Sequence, residues 1–414
     1  MFNKPTVLFS GIQWFFWSGF GLIFSFIAAY YQEIGFTPTQ IGLFTGLTSL
    51  TNILGQLTLG YLSDRLNNPG SILKVSLMAG VGFAMALYFV PPQVAPVVVV
   101  SILLSFFTQS LSPILDSWIM GTRQKAPGLD YGVTRALGSI GFALTTMLSG
   151  LLFDRFGLGF LFPLGAGLMG IAVSIVWLVQ GMYGSPEKSA PEDTINNETA
   201  TPANSKFFNP EMIAILPLLF FTFVAFRPTH LFMPILITSL GGTNEQIGYG
   251  LAMMAISEVP FMVASSKLMR RFKDTSVLMV ALAMFVVRIL TPAFANGPTG
   301  VIVLQLLQGP SFGLFWPAAV HILFRLAPEG NKTLAQTAGS LATFGLGSVV
   351  GSTLGGYLVE WYGLRGMYLV STIIMLLVTF GYGWIFMRSD SPFNRVPLVK
   401  LPGKESVGPS QPVP

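Results

Sequence analysis

Long apolar stretches separated by short polar segments dominate the sequence. A helix of about 20 apolar residues is long enough to cross the hydrocarbon core of a bilayer. The pattern therefore predicts an all-α membrane protein with twelve transmembrane helices. The predicted spans are 7–31, 40–62, 72–90, 95–121, 131–153, 157–181, 210–240, 245–266, 275–294, 298–324, 333–358 and 363–387.

One connection differs from the others. Residues 182–209 are rich in Ser, Thr, Asn, Pro and acidic residues, a composition typical of a linker. This segment divides the chain into an N-terminal six-helix half at 1–181 and a C-terminal six-helix half at 210–388. We expect a cytoplasmic linker at 182–209 and a flexible cytoplasmic tail at 389–414.

Three short motifs recur in the two halves, in the same order and at an offset of 201 or 206 positions. Each copy lies at the same place relative to the predicted spans. We infer two homologous halves in parallel orientation. The pairs are TPTQIG at 37–42 with TNEQIG at 243–248, RALGS at 135–139 with QTAGS at 336–340, and Gly150-x-x-x-Asp154 with Gly356-x-x-x-Glu360.

Composition narrows the class of protein further. Charged residues make up only 9% of the chain, against about 25% in soluble domains, and the mean hydropathy is +0.67. Cysteine is absent and only two histidines occur, which argues against disulfides, a thiolate nucleophile and a metal site. We expect no cofactor and no nucleic-acid partner, and partners limited to the lipid bilayer, a small solute and protons.

The basic residues predict the orientation. If both termini are cytoplasmic, 17 of the 22 Lys and Arg residues fall on that side and only Arg155 and Arg365 fall outside. The remaining three lie within spans. The chain is thus expected to be a multi-pass protein of the plasma (inner) membrane, working as a monomer.

The loop after span 2 carries a family resemblance. GYLSDRLNNPGSILK at 60–74 resembles the loop signature of the major facilitator superfamily, with Gly60, Asp64 and Arg65 on its positions. In that family the signature acts as a conformational gate. SPILDSWIM at 112–120, YGVTRALGSIGFA at 131–143 and SEVPFM at 257–262 resemble the branch of lactose permease, phenylpropionate permease and nucleoside–proton symporters.

Five ionisable side chains lie well inside the predicted spans. Each costs about 2.5–3.5 kcal/mol at a helix centre, so the five unpaired would cost roughly 12–18 kcal/mol. They must pair or line a wet cavity. An acid can neutralise by binding a proton, whereas Arg cannot lose its own. The five are Asp116, Arg135, Arg227, Glu258 and Arg288.

The resemblance assigns roles to four of the five. In lactose permease a carboxylate of span 4 and an arginine of span 5 hold the substrate, and Asp116 and Arg135 fall on those positions. Glu258 in span 8 and Arg288 in span 9 match charged residues of the same family. The alternative for each pair is a structural ion pair between neighbouring helices.

Two spans depart from that family. Span 7 carries Arg227 and His230, three residues apart and on one face, where lactose permease has acids. Span 10 has Gln308 and Ser311 where lactose permease has His and Glu. If transport is proton-coupled, the proton must therefore use Asp116, Glu258 or His230.

A secondary transporter that works by alternating access is the leading interpretation, with proton symport as its favoured form. Two interior acids and three arginines leave a charge of +1, which favours a small organic anion such as an aromatic monocarboxylate. The predicted substrate-binding residues are Asp116, Arg135, Arg227, Arg288 and Gln308. A sugar or nucleoside proton symporter is the alternative.

Three other classes are weaker. A membrane enzyme would need a catalytic constellation, which the sequence lacks. An efflux pump of this fold usually has a Gly/Pro-rich motif in span 5, where this chain has no proline. An assembly factor of the same fold would not need the interior charges.

Overall fold

A computed structural model describes residues 3–122, 125–126, 128–184, 210–327 and 331–387. Helices account for nearly all of these residues, and this described part of the chain contains no strand. The predicted tail and all but the first three residues of the predicted linker lie outside it. The α-helices are α1 Lys4–Glu33, α2 Pro38–Leu66, α3 Pro69–Phe89, α4 Val94–Thr108, α5 Ser112–Thr122, α6 Tyr131–Phe156, α7 Leu161–Tyr183, α8 Pro210–Leu231, α9 Met233–Ser239, α10 Asn244–Arg271, α11 Asp274–Leu290, α12 Pro298–Leu304, α13 Leu314–Leu326, α14 Lys332–Ser340 and α15 Ser348–Met387.

The helices follow the predicted spans. Within the described residues, ten helical stretches are long and apolar enough to cross a membrane. One of them, Leu334–Phe386, has 53 residues and is interrupted at Gly363 (φ 69°, ψ 176°), so it holds two crossing-length helices. The ten stretches therefore hold eleven helices, and the 29-residue α2, which is not among the ten, is a twelfth helix of crossing length. The architecture is therefore consistent with twelve spans.

Two spans contain π-helical segments. Gly309–Gly313 lies between α12 and α13 in span 10, and Leu341–Gly347 joins α14 to α15 in span 11. A π segment changes the direction in which the following side chains point, and such segments are frequent at functional sites. Both segments belong to the C-terminal half.

The bundle has two distinct ends. We call the end that holds Lys4, Arg65 and Arg271 the basic end, and the end with the α1–α2 turn at Ile34 the distal end. At the distal end, one apolar core joins both halves and includes Phe26, Leu236 and other buried residues from each half. At the basic end, each half has a separate core. The two halves thus pack together distally and diverge toward the basic end.

Close helix contacts hold the halves together distally. A Cβ atom on Gly42 of α2 would lie only 2.8 Å from the Cα of Gly356 in α15, so the two backbones meet at a pair of glycines. Small residues allow such an approach between membrane helices.

Hydrogen bonds across the halves explain two of the three repeated motifs. Thr37 and Thr243 are the N-caps of α2 and α10 and form capping boxes. In α10 the box leaves the N–H groups of the first two helical residues, Asn244 and Glu245, without a partner within the helix. Asp154 of the N-terminal half accepts hydrogen bonds from the backbone N–H of Asn244 (2.9 Å) and Glu245 (3.1 Å). This carboxylate therefore caps a helix of the opposite half.

The second copy of the motif does the same in reverse. Glu360 of the C-terminal half accepts a hydrogen bond from the backbone N–H of Thr39 at 3.2 Å. It accepts only one because Pro38, the first residue of α2, has no N–H. Asp154 and Glu360 together form two carboxylate latches at the distal end.

Candidate functional site

The N-terminal half contributes a polar cluster near the middle of the bundle. The Gln13 side chain donates a hydrogen bond from Nε2 to Asp116 at 2.9 Å and accepts one from Trp17 Nε1 at 2.8 Å. The guanidinium of Arg135 lies over the Trp17 ring, 4.3 Å from its centroid, and donates to Ser139 at 3.2 Å. These contacts connect α1, α5 and α6.

Asp116 and Arg135 do not form the direct ion pair that the sequence left open as the alternative to substrate binding. Within the described residues, side-chain ion pairs shorter than 4.0 Å involve Asp274 with His321 and Arg325 instead. Arg135 still attracts Asp116 electrostatically, but the amide of Gln13 occupies the hydrogen-bonding position at the carboxylate.

Glu258 of α10 forms the matching centre in the C-terminal half. Its carboxylate accepts a hydrogen bond from Gln308 Nε2 at 3.3 Å, while the Oε1 atom of the same amide is buried without a hydrogen-bond partner in the described chain. Glu258 also interacts electrostatically with Arg288 and, across the two halves, with Arg135. The two half-sites therefore face each other.

Basic side chains contact the ring of Phe226 in the C-terminal half. Arg288 is 6% exposed and lies over the Phe226 ring at 5.1 Å, and the His230 ring packs edge-on against Phe226 at 5.7 Å. Arg227 follows Phe226 in α8. Neither guanidinium donates a hydrogen bond within the described residues, and each has a buried nitrogen without a partner.

Aromatic side chains form a wall beside these cations. Trp316 could be noted from the sequence as a residue able to stack on a ring, whereas Phe312 and Phe344 were not singled out. Phe312 and Phe344 both lie in the π segments and pack 6.4 Å apart, and Trp316 lies 4.8 Å from Phe344. Phe312 also stacks on Phe226 at 5.8 Å. The unusual GPSFG sequence of span 10 was the available signal. We call Phe312, Trp316 and Phe344 the aromatic wall.

The predicted gate residues lie away from this centre. Gly60, Asp64 and Arg65 occupy the basic end of α2, where both charged side chains are exposed. Helix α2 ends just beyond them at Asn67, whose backbone is left-handed (φ 49°). The structure therefore places the signature at the end of the bundle where the halves diverge. No group of three or more potential metal ligands occurs in the described residues.

Comparisons with known proteins agree with this architecture. A family model described as the MFS_1 like family matches residues 7–370. Maltose permease of Geobacillus stearothermophilus is 28% identical over 369 residues, covering 87% of this chain and 90% of that protein. The probable 3-phenylpropionic acid transporter of Escherichia coli (strain K12) is 25% identical over 365 residues, with 87% and 93% covered.

Solved structures extend the similarity in three dimensions. The crystal structure of the nucleoside transporter NupG superposes with a TM-score of 0.82 and covers 93% of this chain and 100% of its own, at 15% identity. At that identity the likeness establishes the fold alone.

Proposed function

The chain belongs to the MFS_1 like family and is a multi-pass secondary transporter; from that premise we propose that it imports a small organic monocarboxylate together with protons. In this proposal the basic end faces the cytoplasm, the membrane is the plasma (inner) membrane and the monomer is the working unit. The solute binds between the two half-sites, where the helices of both halves contribute charges.

The observation that carries the proposal is the pair of unsatisfied guanidinium groups in the C-terminal half. Arg227 and Arg288 keep buried nitrogens without hydrogen-bond partners in the described chain, and Glu258 is the one acid that the sequence places well inside a span of this half, away from the span ends. A buried guanidinium without a partner is costly, and a carboxylate can complement it with two parallel hydrogen bonds.

Glu258 is the best proton carrier by its hydrogen bonding. In its charged form it accepts from the amide nitrogen of Gln308, and the nearby amide oxygen has no donor. A protonated Glu258 gains an O–H that can donate to this oxygen. The amide therefore accommodates both protonation states, whereas a tight ion pair would favour the charged state alone.

The conformation supports alternating access. The distal end is closed by the shared core and the two carboxylate latches, while the halves diverge at the basic end. In the proposed orientation this is an inward-facing state. Rocking of the halves would break the distal latches and close the basic end, where Gly60, Asp64 and Arg65 lie.

A neutral sugar is the second candidate, and the N-terminal cluster favours it. Asp116, Gln13 and Arg135 offer acceptors and donors beside the Trp17 ring, a combination that suits hydroxyl groups on a flat sugar face. The similarity to maltose permease points in the same direction.

Uptake into proteoliposomes separates the candidates. We expect radiolabelled 3-phenylpropionate to accumulate when the lumen is alkaline, and a protonophore to abolish the accumulation. Competition by maltose without competition by any monocarboxylate would replace the acid with the sugar. Equal uptake with and without the pH gradient would remove proton coupling.

A further inference from the structure

We infer that Arg227 is the carboxylate anchor of the solute and that the aromatic wall holds an aryl ring beside it, so that the preferred solutes are arylalkyl carboxylates. This inference rests on the proposed function and names the substrate class of the same site. It follows from a comparison of the three interior arginines and from the arrangement of rings around α8.

Arg135 and Arg288 already have electrostatic partners. Arg135 lies over Trp17, donates to Ser139 and attracts Asp116. Arg288 lies over Phe226 and interacts with Glu258.

Arg227 differs from both. Among the described residues, no acidic side chain forms an ion pair with its guanidinium and no aromatic ring lies under it, and its buried Nε has no acceptor. His230, on the same face of α8, interacts electrostatically with Arg227 and can only add positive charge. An anion from outside the chain is therefore the missing partner of Arg227.

The rings that accompany Arg227 lie on its basic-end side. Phe223 precedes Arg227 by one turn of α8 and is buried. Its ring packs against Phe344 at 4.8 Å and against Phe312 and Phe315 at 6.5 Å each. Phe344 is 42% exposed, and Phe312 and Trp316 are partly exposed. Spans 10 and 11 thus present a partly open aromatic surface next to the buried Phe223.

The spacing fits a defined ligand shape. Phe223 and Arg227 are four residues apart, about 6 Å along the helix axis at 1.5 Å per residue. Phe344 of the aromatic wall packs on Phe223 at 4.8 Å. A ligand with its carboxylate at Arg227 and its ring against the wall therefore needs a few methylene groups between the two.

Binding of ligands to the detergent-solubilised full chain tests the proposed contact between Arg227 and the carboxylate of the solute. The probes are 3-phenylpropionate and its neutral isostere 3-phenylpropionamide, measured by titration calorimetry without a pH gradient. We expect Arg227→Gln to weaken binding of the acid at least tenfold and of the amide less than threefold. Arg227→Lys should be intermediate, because Lys keeps the charge but not the bidentate geometry. Arg271→Gln, an exposed site at the basic end, is the matched control.

The proposed contact between the aryl ring of the solute and the aromatic wall needs a separate variant. Hexanoate carries the same charge without a ring, so Phe344→Leu should weaken 3-phenylpropionate about tenfold and leave hexanoate within twofold. Phe380→Leu, at a 75% exposed position of α15, is the control for a lost ring. A normal thermal unfolding midpoint for each variant excludes misfolding.

The outcomes distinguish this inference from the proposed function. Unchanged acid binding in Arg227→Gln, or no binding of 3-phenylpropionate to the unaltered chain, would overturn the inference. Binding that depends on Arg227 in a protein that shows no proton-driven uptake would support the subsite and remove the symport mechanism.

Discussion

The latch at Asp154 offers the sharpest test of how the two halves are held together. Its carboxylate accepts two backbone N–H groups at the start of α10, at 2.9 and 3.1 Å. The variant Asp154→Asn has one amide oxygen, which can keep one of these two hydrogen bonds, whereas its NH₂ group cannot accept the other. The variant also loses the attraction between the negative charge and the N-terminus of α10. The helix-dipole contribution is about 0.3–1 kcal/mol and a lost hydrogen bond about 1 kcal/mol.

Because Asp154 is exposed, solvent screening favours the lower end of this range. A loss of about 1 kcal/mol corresponds to a roughly fivefold larger population with the distal end open. Glu360→Gln removes a latch that holds only one N–H, so its effect should be about twofold.

The chain contains no cysteine, which provides a direct assay. Ile41 is 1% exposed and lies in the core that joins the halves distally. In an Ile41→Cys background, the rate of maleimide labelling of detergent-solubilised protein should follow the open population. We expect a fivefold faster rate with Asp154→Asn and an unchanged rate with the neighbouring Arg155→Gln. Equal rates in the Asp154→Asn protein and its parent would refute the latch.

Three further predictions concern the interior charges. Glu258→Gln should retain downhill exchange of solute but lose accumulation driven by a pH gradient, because a permanently neutral side chain cannot cycle; full accumulation would contradict the role of Glu258. Asp116→Asn and Arg135→Gln should each abolish accumulation while the protein still reaches the membrane, as uptake and surface-fraction assays can show; normal uptake by either variant would count against the N-terminal half-site. Asp274→Ala should destabilise the fold by about 1.5–3 kcal/mol, because it removes the carboxylate that accepts a charge-assisted hydrogen bond from Arg325 at 3.1 Å; an unfolding midpoint equal to that of the exposed-site variant Glu33→Ala would argue against this.

The positions of the helices could be predicted because apolar length is a local property. The predicted span 131–153 corresponds to α6 at Tyr131–Phe156, and 210–240 corresponds to α8 and α9, which end at Ser239. Span boundaries differ by only a few residues, since polar caps and glycines at helix ends are also local signals.

The contacts between the halves could not be predicted in the same way. The sequence revealed the repeated TPTQIG and Gly-x-x-x-Asp/Glu motifs, but not that each carboxylate caps the helix of the opposite half. That contact joins residues 90 and 321 positions apart and depends on how the helices pack. The motif spacing alone contains no information on this packing.

The partners of the interior charges also depend on helix packing and could not be predicted from the sequence. An ion pair between Asp116 and Arg135 was one alternative from the sequence because their helices are neighbours, yet Gln13 from α1 donates the hydrogen bond to the carboxylate. Phe312 and Phe344 look like ordinary apolar residues of a span. Their position beside the cations depends on two π segments, which a helical period of 3.6 residues does not predict.

The central claim is that the acid and protons enter together, and proton movement measures this most directly. Proteoliposomes in a weakly buffered medium are mixed with 3-phenylpropionate while a pH electrode records the external solution. The account predicts that solute entry makes the medium more alkaline, and that Glu258→Gln abolishes this change while solute exchange persists. Entry of the solute with no change in external pH would contradict it.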